Sequence, residues 1–181
     1  NLDTSEDFYN RIISTRSYQN RLDTLETVRK NDISVCCGGI IGMGETDEDR
    51  IELIHNLCTM DVHPESVPIN ALIAVKGTPM EHQPKVPWYD MARMIATARI
   101  AMPDSMVRLS AGRVNMSMEE QALCFMAGAN SIFTGEKLLT TCNNDLDEDM
   151  EMFRILGLRP REAFKNAKEE HLPVHAGPQS I

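Results

Sequence analysis

The chain has 181 residues, of which 42% are hydrophobic and 25% charged, the composition of an ordinary soluble globular domain able to bury a sizeable core. A formal net charge of -9 without any cluster of Lys or Arg argues against nucleic acid or an anionic membrane as partner. No apolar stretch approaches the roughly 20 residues of a membrane helix, and five cysteines, odd in number and loosely spaced, favour a reducing intracellular compartment over a disulfide scaffold.

In chain order, Leu22, Leu25 and Val28 recur at helical spacing and predict a helix over 18–29. A strand is expected over 33–41, ending in a glycine-rich turn at Gly42 and Gly44. Thr46 offers an N-cap, the acids Asp47, Glu48 and Asp49 suit a positive first turn, and Ile51, Leu53, Ile54 and Leu57 form the apolar face of the next helix. The alternation repeats as strand 66–72, helix 88–102, strand 106–110, helix 118–127, strand 131–134 and helix 145–156. Such alternation predicts an α/β fold of parallel strands with helices packed outside. About four strand-helix units are present, whereas a closed barrel needs eight units and about 250 residues, so the expectation is half of a TIM-type (β/α)8 barrel. Residues 159–181 turn polar and proline-punctuated and read as an irregular tail, in which His171 and His175 are solvated residues and not a metal pair.

Chemistry concentrates on one expected sheet face. Strand side chains alternate, so Cys36, Gly38 and Ile40 share a face and Cys37 points away. Cysteine is a soft ligand suited to iron-sulfur chemistry, and glycines after a strand let backbone approach a flat ligand. Ser66, Pro68 and Asn70 share a polar face while Val67 and Ile69 turn to the helices, and in the following strand Arg108 and Ser110 face inward. An arginine inside a barrel is costly unless paired or ligated; the alternative is a position at the solvated strand end. Three strands with polar residues on one side point to a cavity. The Cys36–Cys37 pair taken alone is more often two small buried hydrophobes, and no CxxxCxxC spacing occurs. The acidic run from Asp145 to Glu151 reads as a solvated helix start, and Met80, Met91, Met94 and Met126 as core packing.

These residues carry a resemblance. The segments NLDTS at 1–5, CCGGIIGMGE at 36–45, ESVPIN at 65–70, VKGTP at 75–79, VRLSAGR at 107–113 and AGANSIF at 127–133 closely resemble the C-terminal half of the biotin synthase family, radical S-adenosylmethionine enzymes. The resemblance covers 1–158. It implies a TIM-type barrel holding two clusters: a 4Fe-4S cluster that cleaves S-adenosylmethionine to a radical, and a 2Fe-2S cluster that donates sulfur to dethiobiotin. By this resemblance Cys36 and Arg108 are catalytic ligands of the 2Fe-2S cluster, with Ser66 and Ser131 lining its pocket. Asn1 and Asp3 bind the ribose of S-adenosylmethionine and Ile40 and Ile73 its adenine. Asn70, with Asn1, meets the ureido ring of dethiobiotin, and Thr140 and Thr141 its carboxylate. The resemblance also implies an electron donor such as flavodoxin or ferredoxin, a homodimer when full length, and residence in bacterial cytoplasm or a mitochondrion.

The sequence departs from the family in lacking the CxxxCxxC loop and the other 2Fe-2S cysteines, in having Cys37 where the family more usually has serine, and in the extra Cys142. The chain alone is therefore expected to be inactive and poorly folded. It begins at Asn1 without Met, which leaves a processed precursor and a fragment both open. Two rivals stand beside this reading: another radical S-adenosylmethionine barrel with a different substrate, and a truncated chain that acts as a binding partner of a full-length homologue.

Overall fold

A computed structural model describes residues 1–135, 137–138, 141–142, 144 and 146–161. The first helix, α1 (Glu6–Ile12), is absent from the expected elements; Ser5 caps it by accepting the Phe8 N–H, and Glu6 and Asp7 occupy its positive end. Helix α2 (Tyr18–Lys30) starts on a capping box of Ser17 and Asn20, and its Leu22, Leu25 and Val28 are half-buried.

The strand expected over 33–41 shrinks to β1 (Gly39–Ile41). The cause is register: β2 (Ser66–Ala71) begins at Ser66, which bridges Cys36, so residues ahead of Val35 have no strand opposite them, and Ile33 is 57% exposed. Between the two strands runs α3 (Asp47–Cys58), capped by the reciprocal hydrogen bonds of Thr46 and Asp49. Leu53, Ile54 and Leu57 are buried as expected, but Ile51, in the second turn, is 65% exposed and does not belong to that face.

Helix α4 (Trp88–Ala101), strand β3 (Met106–Leu109), a single 3-10 turn (Arg113–Asn115), helix α5 (Met118–Met126) and strand β4 (Ser131–Ile132) continue the alternation. The four strands form one parallel sheet in the order β1-β2-β3-β4, registered Gly39 to Ile69, Val67 to Val107 and Arg108 to Ser131. Val67, Ile69, Val107 and Leu109 are fully buried, as are Leu57 of α3 and Ile95 and Ala98 of α4. Burial stabilises each large side chain among them by about 1.5–3 kcal/mol, which is what holds helices to this face. Met91 and Met94 of α4 join this core, whereas Met126 is 79% exposed at the end of α5 and Met80 lies in a turn; neither is a core methionine on a helix.

The chain divides into two compact units, Asn1–Phe133 and Thr134–Ile181. The second holds an antiparallel pair, β5 (Lys137–Leu138) with β6 (Thr141–Cys142), in place of a longer fourth strand, and α6 (Leu146–Leu156). The acids Asp147, Glu148 and Asp149 open α6, but Asp149 is buried and not solvated. Residues 162–181, with His171 and His175, lie outside the described residues. Among the described residues no helix is long and apolar enough to cross a membrane.

Candidate functional site

Parallel pairing stacks the candidate residues into rows across the sheet. Cys36 pairs with Ser66, and Ser66 with Met106; two residues further along, Pro68 pairs with Arg108 and Arg108 with Ser131; next, Ile40 pairs with Asn70. Paired residues and alternate residues share a face, so Cys36, Ser66, Asn70, Arg108 and Ser131 lie opposite the helix-facing Val67, Ile69, Val107 and Leu109. Cys36 and Arg108 stand two strand spacings and two residues apart, about 12 Å between their backbones, and both side chains rise from the same face.

The two cysteines separate as alternation predicts. Cys36 is exposed and its thiol donates to Ser66 Oγ at 3.5 Å, while Cys37 is fully buried and burial pushes its thiol upward, away from the thiolate a soft metal needs. Arg108 is half-buried. Its guanidinium carbon lies 4.3 Å from the centroid of the Phe133 ring, and its Nε is buried without a hydrogen-bond partner. An unsatisfied buried donor is a cost that folding alone does not explain.

Asn70 is held from both ends. Its Nδ2 donates to Gly39 O at 2.9 Å and its Oδ1 accepts the Ala111 N–H at 3.2 Å, which leaves one N–H and one lone pair. Asn1 and Asp3 run along the outer edge of β1. Asn1 Oδ1 accepts the Gly38 N–H, and Asp3, at φ 69°, donates its N–H to Gly38 O and accepts from Ile40. The Asp3 carboxylate lies 3.8 Å from Arg21 of α2, whose Nε donates to the Tyr9 hydroxyl. Ile40 in β1 and Ile73 just after β2 are both half-buried. Thr140 lies outside the described residues, and Thr141 opens β6 in the second unit.

A Cβ at Gly38 would sit 2.0 Å from the Pro68 carbonyl oxygen, so the glycine admits the neighbouring strand. Gly42, at φ 92°, turns the chain out of β1, and the turn is closed by Glu45, a residue the sequence gives no role. Its carboxylate, 1% exposed, accepts the N–H groups of Gly42 and Met43 and the Nε of Arg50, which also reaches Asp90 of α4. A cleft of about 230 Å³ beside this turn, lined by Glu45, Arg50, Lys85 and Asp90 among others, shares none of its lining with the Cys36 and Arg108 rows.

Two further residues escape the sequence reading. Arg113 is 2% exposed, donating to Gln121 Oε1 of α5 at 3.0 Å and to the Phe133 carbonyl at 3.2 Å. Glu65 is salt-bridged to Arg29 of α2 and accepts the Val35 N–H at 2.7 Å, next to the Cys36–Ser66 bridge. Burial pushes its carboxyl up, and the hydrogen bonds from Arg29 and Val35 more than offset that, leaving it below the ordinary carboxylate range. The sequence signal for both is a charged residue adjoining a strand of the polar face.

Residues 68–159 match the model of the Biotin and Thiamin Synthesis associated domain. The chain belongs to this family. It is 58% identical over 181 residues to the biotin synthase of Cytophaga hutchinsonii, covering 100% of this chain and 54% of that protein. Against the mitochondrial biotin synthase of Arabidopsis thaliana it is 66% identical over 161 residues, 89% of this chain and 43% of the relative. The chain thus spans about half the length of the curated relatives it matches, their C-terminal half. In fold it is similar to methylornithine synthase, with a TM-score of 0.73 at 19% identity over 89% of this chain and 51% of that one. The family member described here is accordingly a partial (β/α) barrel, as the alternation of strands and helices predicts.

The donor set on the polar face fits an iron-sulfur group in part. It offers one accessible thiol beside a hydroxyl, and one guanidinium with an unused buried nitrogen. Among the described residues no cluster of three or more His, Cys, Asp and Glu is placed to hold a metal.

Proposed function

We propose that this chain is the C-terminal part of a biotin synthase, in which residues 1–158 complete a radical S-adenosylmethionine barrel that inserts sulfur into dethiobiotin, and 159–181 lie outside it. The observation that carries the reading is Arg108, whose Nε is buried without a partner on the face that also bears Cys36. A nitrogen kept unpaired at a cost supports a role towards a group held on that face.

In this reading Cys36 and Arg108 hold a 2Fe-2S cluster, with Ser66 and Ser131 lining its pocket. Such a cluster takes four protein donors, so the remaining ones come from the part of the relatives that this chain does not match. When bound, the 2Fe-2S cluster supplies sulfur, and S-adenosylmethionine with a 4Fe-4S cluster supplies the hydrogen-abstracting radical. The chain's own residues bind and orient. Asn1 and Asp3 hold the ribose of S-adenosylmethionine, and Ile40 and Ile73 cover its adenine. The one N–H and one lone pair left on Asn70 complement a ureido group, which presents an N–H beside a carbonyl, and Asn1 joins it. Thr140 and Thr141 receive the carboxylate of dethiobiotin. The partners are dethiobiotin, an electron donor of the flavodoxin or ferredoxin kind and a second copy of the full-length chain; the compartment is bacterial cytoplasm or, as the name of the Arabidopsis relative supports, a mitochondrion.

The test is the full-length protein that contains this chain, reconstituted with iron and sulfide and given dethiobiotin, S-adenosylmethionine and a reductant. Biotin should form. Cys36→Ala should abolish the 2Fe-2S absorption and lower biotin formation by roughly 100-fold or more while leaving the fold intact. Failure of the unaltered protein to make biotin overturns the reading, and a different product formed from S-adenosylmethionine chemistry moves it to another radical barrel.

A further inference from the structure

We propose that Phe133 is the residue that positions Arg108, and that buried Arg113 in turn fixes Phe133. The proposal rests on the reading of Arg108 given above. Arg108 pairs with Ser131 across β3 and β4, and Phe133 lies two residues beyond Ser131, hence on the same side of the chain by alternation. The Arg108 guanidinium sits over the Phe133 ring at 4.3 Å from its centroid.

The chemistry of this support matters. A carboxylate would hold the guanidinium by engaging its N–H groups, and would leave the nitrogens occupied. An aromatic face attracts the cation through its quadrupole and engages the flat of the group, so the nitrogen edge remains available to whatever lies on the polar face. The unpartnered buried Nε is what such a support leaves behind.

Phe133 lies one residue beyond the end of β4, and Arg113 anchors its backbone. Its Nη2 donates to the Phe133 carbonyl at 3.2 Å while its Nη1 donates to Gln121 Oε1 at 3.0 Å, and Gln121 is itself buried in α5. The backbone of Phe133 is therefore tied to helix α5 through a fully buried cation. Two arginines are thus joined through one phenylalanine: Arg113 grips its backbone and Arg108 rests on its ring.

The experiment uses full-length holoenzyme carrying Phe133→Leu, which removes the aromatic face and keeps an apolar side chain, Phe133→Tyr, which keeps the face, and Arg108→Met. The readouts are the Mössbauer signature of the 2Fe-2S cluster, its rate of loss to a chelator, and the midpoint of thermal unfolding. F133L should alter the cluster signature in the direction of R108M and speed cluster loss about three- to tenfold, while F133Y matches the unaltered enzyme. A wild-type signature and loss rate in F133L, with R108M altered, overturns the role of Phe133 alone. A change shared by F133L and F133Y also overturns it. If R108M leaves the signature unchanged, the reading of Arg108 at the cluster fails and the positioning role fails with it. Should F133L not accumulate, Phe133→Met is read by the same criteria.

Discussion

The two faces of the four-stranded sheet are built to opposite rules. Towards the helices, Val67, Ile69, Val107 and Leu109 are fully buried and apolar. On the other face Cys36 is exposed, Asn70 keeps half of its hydrogen-bonding capacity, and Arg108 has a buried nitrogen with no partner. The same contrast recurs between two nearby arginines. Arg113 is 2% exposed and bonded to Gln121 and Phe133; Arg108 is half-buried and rests on an aromatic ring. Burial and charge do not by themselves distinguish function from structure. These two arginines differ in whether their donors are used.

The largest effect expected on stability falls on the satisfied arginine. Arg113→Met in the full-length protein strands Gln121 Oε1 and the Phe133 carbonyl and should cost about 3–5 kcal/mol in urea unfolding; a loss under about 1 kcal/mol would erase the contrast with Arg108. Gly38→Ala comes next, because the added Cβ meets backbone, the Pro68 carbonyl, at 2.0 Å and no flexible side chain can give way. About 2 kcal/mol or more should be lost, measured by the same unfolding, and an unchanged midpoint would show that β1 and β2 can separate freely.

Glu65 sharpens the comparison through pH. Its carboxyl is held below the ordinary range in the fold, so its contribution is fully present above the unfolded-state value near 4.3 and fades as pH falls through the lower folded value. Glu65→Gln should cost about 1–2 kcal/mol at pH 7 and flatten the acid limb of the stability-pH curve. An acid limb parallel to that of the unaltered protein would mean that the Arg29 and Val35 contacts do not hold the segment that carries Cys36 into β1. The smallest stability effect is expected at Arg108→Met, about 0–1 kcal/mol in either direction, since no hydrogen bond is lost and an unpaired nitrogen is removed. A destabilisation like that of Arg113 would assign Arg108 to the scaffold.

Much of the scaffold was legible in the sequence because it rests on local signals. Thr46 and Asp49 announce the start of α3, and the alternation of apolar and polar residues in 66–71 announces both faces of β2. The expected strand over 33–41 is longer than the observed one because Ile33 and Val35 have strand propensity, whereas pairing depends on where β2 begins. Helix α1 is short and its signal is a single serine cap. Alternation places Cys36 and Arg108 on the polar face, but Arg113 and Glu65 are held by side chains of other elements, α5 and α2, which local pattern does not reveal. Ile51 and Met126 show the converse: helical spacing groups residues on a face without saying that something covers it.

Pro68 gives the polar face a mechanical property. In β2 the amides of even-numbered residues point at β1, as the Ser66 N–H does towards the Val35 carbonyl, and at Pro68 that amide carries no hydrogen. The ladder between the two strands therefore skips one rung, and the skipped rung falls between the row of Cys36 and the row of Asn70. Pro68 still takes part through its carbonyl, and Gly38, without a Cβ, lets the two backbones come close there. With one rung fewer, the seam between the row of the thiol and the row of the amide holds by one hydrogen bond less than an unbroken parallel ladder of the same length.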